Sequence, residues 1–172
     1  FENFLDKSKE QELFEEFKNT LEWKQDKYKF GDKEVLSPRL IRYFGNRNYN
    51  YSGQLKKATP FTETIKNLGN LIEDYLRGQS YDIEKDYFNG CLLNYYRDGN
   101  DSISYHTDKE PDMVKDGIIA VISLGATRKF YLKNQKTNVV EKIDLNGGSL
   151  SIMNRICQKE YFHAIMKEPK IT

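Results

Sequence analysis

The sequence predicts a mainly β fold of the α+β class: a jelly-roll (double-stranded β-helix) core with two flanking N-terminal helices and an N-terminal hairpin. Two observations carry this. From Tyr87 onward, short strand-like segments recur between turn residues, at 87–96, 102–106, 118–124, 127–132, 139–145, 148–153 and 161–166, with no helical stretch among them. Seven such strands imply an antiparallel sandwich or barrel, and a jelly-roll double sheet with helices packed outside it is the expected form. Before Tyr87 the apolar period is instead helical in two places and strand-like between them.

Ser8-Lys9-Glu10-Gln11 has the form of a capping box, and Leu13, Phe14, Phe17 and Leu21 follow on one side of a helical wheel. An amphipathic helix is expected over 8–21. From Trp23 to about Phe44 the pattern is strand-like, and Tyr28 to Lys33 reads as a hairpin turning at Gly31. Thr59-Pro60 starts a second helix, with Ile65, Leu68, Ile72, Tyr75 and Leu76 at helical spacing and Gly78 at its end. No internal repeat or low-complexity tract interrupts the chain, and one domain is expected over 1–172.

Composition excludes several classes. Of the 172 residues 38% are hydrophobic and 31% charged, and no apolar run approaches the roughly 20 residues of a membrane span. An aromatic content of 13% argues against disorder. Two cysteines, Cys91 and Cys157, are too few for a secreted disulfide framework, so an intracellular, reducing setting is expected. The chain opens on Phe1 with acidic residues and no apolar signal core, which reads as a trimmed start with no visible targeting signal. Nothing suggests more than a monomer.

The net charge of +1 conceals an uneven distribution. Residues 1–22 carry three basic and seven acidic side chains, whereas 24–57 carry nine basic and three acidic ones. The second segment could face a polyanion; the other reading is a solvated surface whose lysines only keep the protein soluble.

The chemistry concentrates around His106-Thr107-Asp108. Side chains two apart on a strand point to one face, so this pair can grip a single ion. His163, the only other histidine, lies in the last strand candidate, which a jelly roll can bring beside the first. Two imidazoles and one carboxylate on one side of a metal form the facial set of non-haem Fe(II) oxygenases. A hydrogen-bonded surface histidine or a zinc cupin are the alternatives.

From Pro38 to His163 the chain resembles the AlkB family of Fe(II)/2-oxoglutarate dioxygenases, which reverse N-alkyl damage on nucleic acid bases. The resemblance rests on Pro38-Arg39-Leu40, Tyr49-Asn50-Tyr51-Ser52-Gly53, Asn94-Tyr95-Tyr96-Arg97-Asp98-Gly99, the run Asp101 to Glu110, Ser123-Leu124-Gly125-Ala126-Thr127-Arg128 and Gly148-Ser149-Leu150, closing with Met153, Gln158, Tyr161 and His163. It implies Fe(II) bound by His106, Asp108 and His163, with 2-oxoglutarate and O2 as cosubstrates and Asn94 and Tyr96 as hydrogen-bond partners of 2-oxoglutarate. It also implies a base pocket lined by Tyr51, Tyr49 and Glu110 and a wedge at Phe30, while Arg39, Arg42, Lys56 and Lys57 of the basic segment are candidate phosphate contacts. Residues 1–60 would then supply the hairpins and first helix for nucleic-acid recognition, and 87–166 the jelly-roll core. The implied reaction is oxidative demethylation of 1-methyladenine and 3-methylcytosine, in DNA first and RNA second, with formaldehyde released. In a eukaryote the nucleus would be the compartment.

One departure stands out. The family carries two arginines for 2-oxoglutarate roughly a dozen residues past its last iron ligand, and here Thr172 follows His163 by nine residues. Lys170 is a poor substitute, because a point charge lacks the bidentate geometry of a guanidinium. A C-terminal strand removed from the chain is the expectation. The competing readings are a base-binding module without catalysis and an oxygenase of the same fold acting on protein or lipid.

Overall fold

The computed structural model describes residues 1–114 and 117–172, with the backbone but not the side chain of Phe30. The chain divides into two compact units, one of Phe1–Ile41, Asn94–Lys109 and Met113–Thr172, the other of Arg42–Leu93 and Glu110–Asp112.

Helix α1 spans Lys7–Thr20 and is capped by Asp6, whose carboxylate accepts from Lys9 N at 2.8 Å. The box at Ser8 is therefore not the cap. Asp and Ser cap equally well, but Asp6 also sets a negative charge at the positive end of the helix. The helix buries Leu13, Phe17 and, against the sequence pattern, Glu10, which is 2% exposed. Glu10 Oε1 accepts from Gly125 N, and Oε2 from Lys7 Nζ, both at 2.6 Å. Burial raises this carboxyl, but the Lys7 and Gly125 hydrogen bonds outweigh it and hold it below its ordinary value. A group depressed in this way stabilises the fold above its unfolded pKa and ceases to do so as pH falls through its folded one. Replacing Glu10 by Ala is expected to cost about 2 kcal/mol at neutral pH, the scale of a hydrogen bond to a charged group. Urea titrations should show that deficit narrowing in acid; equal deficits at both pH values would mean that shape, not charge, is responsible.

Strands β1 (Lys27–Phe30) and β2 (Lys33–Leu36) pair as a hairpin, from Lys27↔Leu36 to Phe30↔Lys33, and turn at Gly31 with φ 61°. Strand β3 follows at Leu40–Gly45. In the second unit, β4 (Tyr49–Tyr51) and β5 (Gln54–Lys56) form another hairpin whose two turn residues, Ser52 and Gly53, have φ 48° and 76°. Two consecutive positive φ values give the twist that tight hairpins need.

Helix α2 runs Glu63–Gly78. It begins at the Thr62 cap, whose Oγ1 accepts from Ile65 N at 3.2 Å, and so starts later than Thr59-Pro60. Ile65, Ile72 and Leu76 supply its buried face. Buried Glu73 accepts from Asp86 N at 3.1 Å and Phe88 N at 3.2 Å, tying the chain to the helix just before β6 (Gly90–Tyr95), which pairs with β3.

The remaining elements are β7 (Ile103–His106), β8 (Ile119–Ile122), β9 (Arg128–Asn134), β10 (Val140–Leu145), β11 (Leu150–Met153), α3 (Arg155–Glu160) and β12 (Tyr161–Ile165). They form an antiparallel four-stranded sheet, β10-β9-β12-β7, and a two-stranded one, β11-β8, around Leu145, Leu150 and Ile165. Six of the seven strand segments read from the sequence contain a strand, and the seventh, 127–132, is overrun by β9, which continues to Asn134. Two details differ: β6 joins β3 rather than the double sheet, and α3 intervenes before the last strand. Asn154 caps α3, its Oδ1 accepting from Ile156 N at 3.0 Å and Cys157 N at 3.1 Å.

Past β12 the chain returns to the loop after β6. Gly99 N donates to Ile171 O at 2.8 Å, and Glu168 N donates to Gly99 O at 2.7 Å. Arg128, 8% exposed, holds the same junction: Nη2 donates to Asp101 O and Met166 O at 2.9 Å each, Nη1 to Asp98 O at 3.3 Å and Nε to Glu168 Oε1 at 3.4 Å. Among the described residues, no helix is long and apolar enough to cross a membrane.

Candidate metal centre

The sheet register builds the centre. In the β7–β12 pair His106 stands directly opposite His163, and the two ring centroids are 4.2 Å apart. Asp108 lies two residues beyond His106, on the same face. Its Oδ1 is 3.7 Å from His106 Nε2, and its Oδ2 is 3.2 Å from His163 Nε2. One donor atom from each of the three residues lies within 4.8 Å of the other two.

The protonation states suit a cation. His106 Nδ1 is 2.8 Å from Ser104 O, and a carbonyl only accepts, so the ring proton sits on Nδ1 and the Nε2 lone pair faces inward. Burial, and then the neighbouring His163, lower the His106 pKa, which keeps that lone pair available. For Asp108 burial raises the carboxyl, yet the His163 hydrogen bond and the two imidazoles bring it below its ordinary value. His163 is 4% exposed and packs on Phe130 with ring centroids 5.4 Å apart. Two imidazoles and one carboxylate match Fe(II) with open positions, and among the described residues the group contains no fourth donor to close a tetrahedral zinc site.

The partners of these ligands were not evident from residue type. Gln158 holds Asp108 at two points: Asp108 N donates to Gln158 Oε1 at 3.0 Å, and Gln158 Nε2 donates to Asp108 Oδ2 at 3.2 Å. Arg39, expected on phosphate, is 5% exposed and donates through Nε to Asn94 Oδ1 at 2.8 Å. A guanidinium buried in that way is a structural partner, and the reading of Arg39 as a surface phosphate contact is corrected. With its carbonyl oxygen taken, exposed Asn94 keeps its NH2 group for an acceptor. Tyr96 presents its ring to Arg128, whose Cζ is 5.3 Å from the centroid.

Tyr49, Tyr51 and Glu110 belong to the second unit, as do Arg42, Lys56 and Lys57. Tyr49 and Tyr51 stack with centroids 6.0 Å apart, Tyr43 adds a third ring 5.4 Å from Tyr49, and Tyr51 is buried. Asp112 steadies this hairpin, its Oδ2 accepting from Asn50 N at 2.7 Å and Asn50 Nδ2 at 3.0 Å. Phe30 ends β1, but its side chain, and hence its wedge role, lies outside the described residues.

Comparison with known proteins agrees with this centre. Over residues 1–172 the chain matches the 2OG-Fe(II) oxygenase superfamily. It is 33% identical over 175 residues to alpha-ketoglutarate-dependent dioxygenase alkB homolog 3 of Bos taurus, covering 96% of this chain and 58% of that protein. It is 26% identical over 144 residues to the DNA oxidative demethylase ALKBH2 of Homo sapiens, covering 78% of this chain and 52% of that one. The solved structure of OsALKBH1 has the same fold, with a TM-score of 0.59 at 18% identity over 100% of this chain and 84% of that one. The chain thus belongs to the 2OG-Fe(II) oxygenase superfamily, whose cofactors are Fe(II), 2-oxoglutarate and O2. Within it the place of the chain is the AlkB family. It spans about 58% of the length of the bovine relative.

Proposed function

We propose that this chain forms the catalytic core of a nucleic acid demethylase that removes methyl groups from 1-methyladenine and 3-methylcytosine, in DNA first and RNA second. The convergence of His106, Asp108 and His163 carries the reading. When bound, Fe(II), 2-oxoglutarate and O2 supply the oxidising power that converts an N-methyl group to hydroxymethyl, lost as formaldehyde while 2-oxoglutarate becomes succinate and CO2.

The chain's own residues position and shield. His106, Asp108 and His163 hold the metal on one side. The Asn94 NH2 group, oriented by buried Arg39, donates to a 2-oxoglutarate carboxylate, and Tyr96 is its second contact. Tyr49, backed by buried Tyr51, offers a ring face on which a base out of its stack can rest, and Glu110 approaches its polar edge. Alkylation at the pairing edge weakens the base pair, so these lesions are the least costly to extrude. The basic residues of 24–57 attract the backbone, and Phe30 is the wedge for a duplex.

The full-length protein, supplied with Fe(II), 2-oxoglutarate and ascorbate, is expected to restore 1-methyladenine in a short oligonucleotide. Mass spectrometry reads this as loss of one CH2 from the strand and release of formaldehyde. An unchanged strand would reject the substrate assignment, and no succinate formed from 2-oxoglutarate in the presence of any methylated DNA or RNA would reject the demethylase reading altogether.

A further inference from the structure

We propose that Gln158 is a positioning residue that holds Asp108 through one carboxylate oxygen and leaves the other to the metal, so that an open face remains for the cosubstrate. The inference rests on the iron-centre reading above. Nothing in the resemblance gives Gln158 a role; its place in the structure does.

A carboxylate that binds a metal through both oxygens occupies two coordination positions, and one that binds through a single oxygen occupies one. A facial centre that must also take a chelating cosubstrate and O2 needs the second arrangement. Asp108 Oδ1 faces His106 Nε2, at 3.7 Å. Oδ2 instead accepts from Gln158 Nε2 at 3.2 Å, and it also lies 3.2 Å from His163 Nε2. Once the His163 nitrogen gives its lone pair to a cation it has no proton to donate, and Gln158 is left as the donor to Oδ2. The other end of the same amide accepts from Asp108 N at 3.0 Å, so the backbone and the carboxylate are fixed together. A single amide satisfying a donor and an acceptor of one residue sets its orientation, not merely its proximity.

Gln158 is itself held. It lies on α3, whose first turn is fixed by the two Asn154 hydrogen bonds, and Gln158 N donates to Asn154 O at 3.3 Å. The helix continues without a break into β12, which carries His163. One short segment thus delivers an imidazole ligand and the orienting partner of the carboxylate ligand.

The test uses Co(II) as the metal probe with the full-length protein. Calorimetry gives its dissociation constant, and the visible Co(II) spectrum follows 2-oxoglutarate binding to the loaded protein. Q158M keeps the bulk and removes the amide. It is expected to bind Co(II) about 10- to 100-fold more weakly, the usual scale for an outer partner, and to lose most of the spectral response to 2-oxoglutarate. H106A serves as the control and should bind Co(II) more weakly still. Q158M binding Co(II) and 2-oxoglutarate as the wild type does, while H106A fails, would overturn the role of Gln158. H106A binding as the wild type does would overturn the iron-centre reading instead. Should Q158M not fold, Q158E decides in the same way, because it keeps the shape and the acceptor for Asp108 N but has no donor to Oδ2 at neutral pH.

Discussion

Alanine at position 108 is expected to abolish methyl removal and metal binding together. Asp108 supplies the only anionic donor of the three, and the two donors that remain are imidazole nitrogens. Losing an outer partner of a metal ligand already costs about 10- to 100-fold in affinity or activity, so losing the ligand should cost well over about 100-fold. The folded state should survive, because the variant relieves the desolvation of a buried carboxylate while it gives up the His163 and Gln158 contacts. Metal titration and succinate release, read beside a melting curve, separate the outcomes. Turnover within tenfold of the wild type in a folded Asp108→Ala protein would exclude this carboxylate as a ligand.

Arg128→Ala is expected to be the most damaging change outside the centre, at about 3–5 kcal/mol, the range for removing one partner from a buried charged network. The guanidinium serves three backbone carbonyls, of Asp98, Asp101 and Met166, and the Glu168 carboxylate. Without it those oxygens keep their desolvation and lose their donors. Lysine should recover only part of the loss, since a single ammonium cannot reach acceptors spread around a planar fork. Urea unfolding midpoints check this, and a loss below about 1 kcal/mol would show that water replaces the guanidinium. Gly99→Ala attacks the same junction from the other side, because a methyl group there would overlap the Glu168 carbonyl oxygen.

The strands of the double sheet were legible because alternation and turn residues are local signals, and the three metal donors because so few residue types can hold iron. What escaped had another character. Helix α3 has six residues and no apolar stripe, so only its Asn154 cap could have announced it. Glu10, Glu73, Arg39 and Arg128 carry charges, which along a sequence point to the surface, yet all are buried. Their burial is set by distant partners, such as the Gly125 amide 115 residues from Glu10, and no window along the chain contains both. Gln158 was visible in the motif, but its purpose lies in a contact with a residue 50 positions away.

The facing of His106 and His163 across one antiparallel pair has a consequence for how the centre fails. A pleated ribbon turns successive side chains to opposite sides, so deleting or inserting a single residue in β12 just before His163, where the pairing with β9 is regular, would send that imidazole through to the far side of the sheet. The cation would then lose a donor outright instead of gaining a longer bond. Such a change in β12 should therefore empty the centre, whereas β7 already carries an extra residue between Ile103 and His106 without displacing its imidazole.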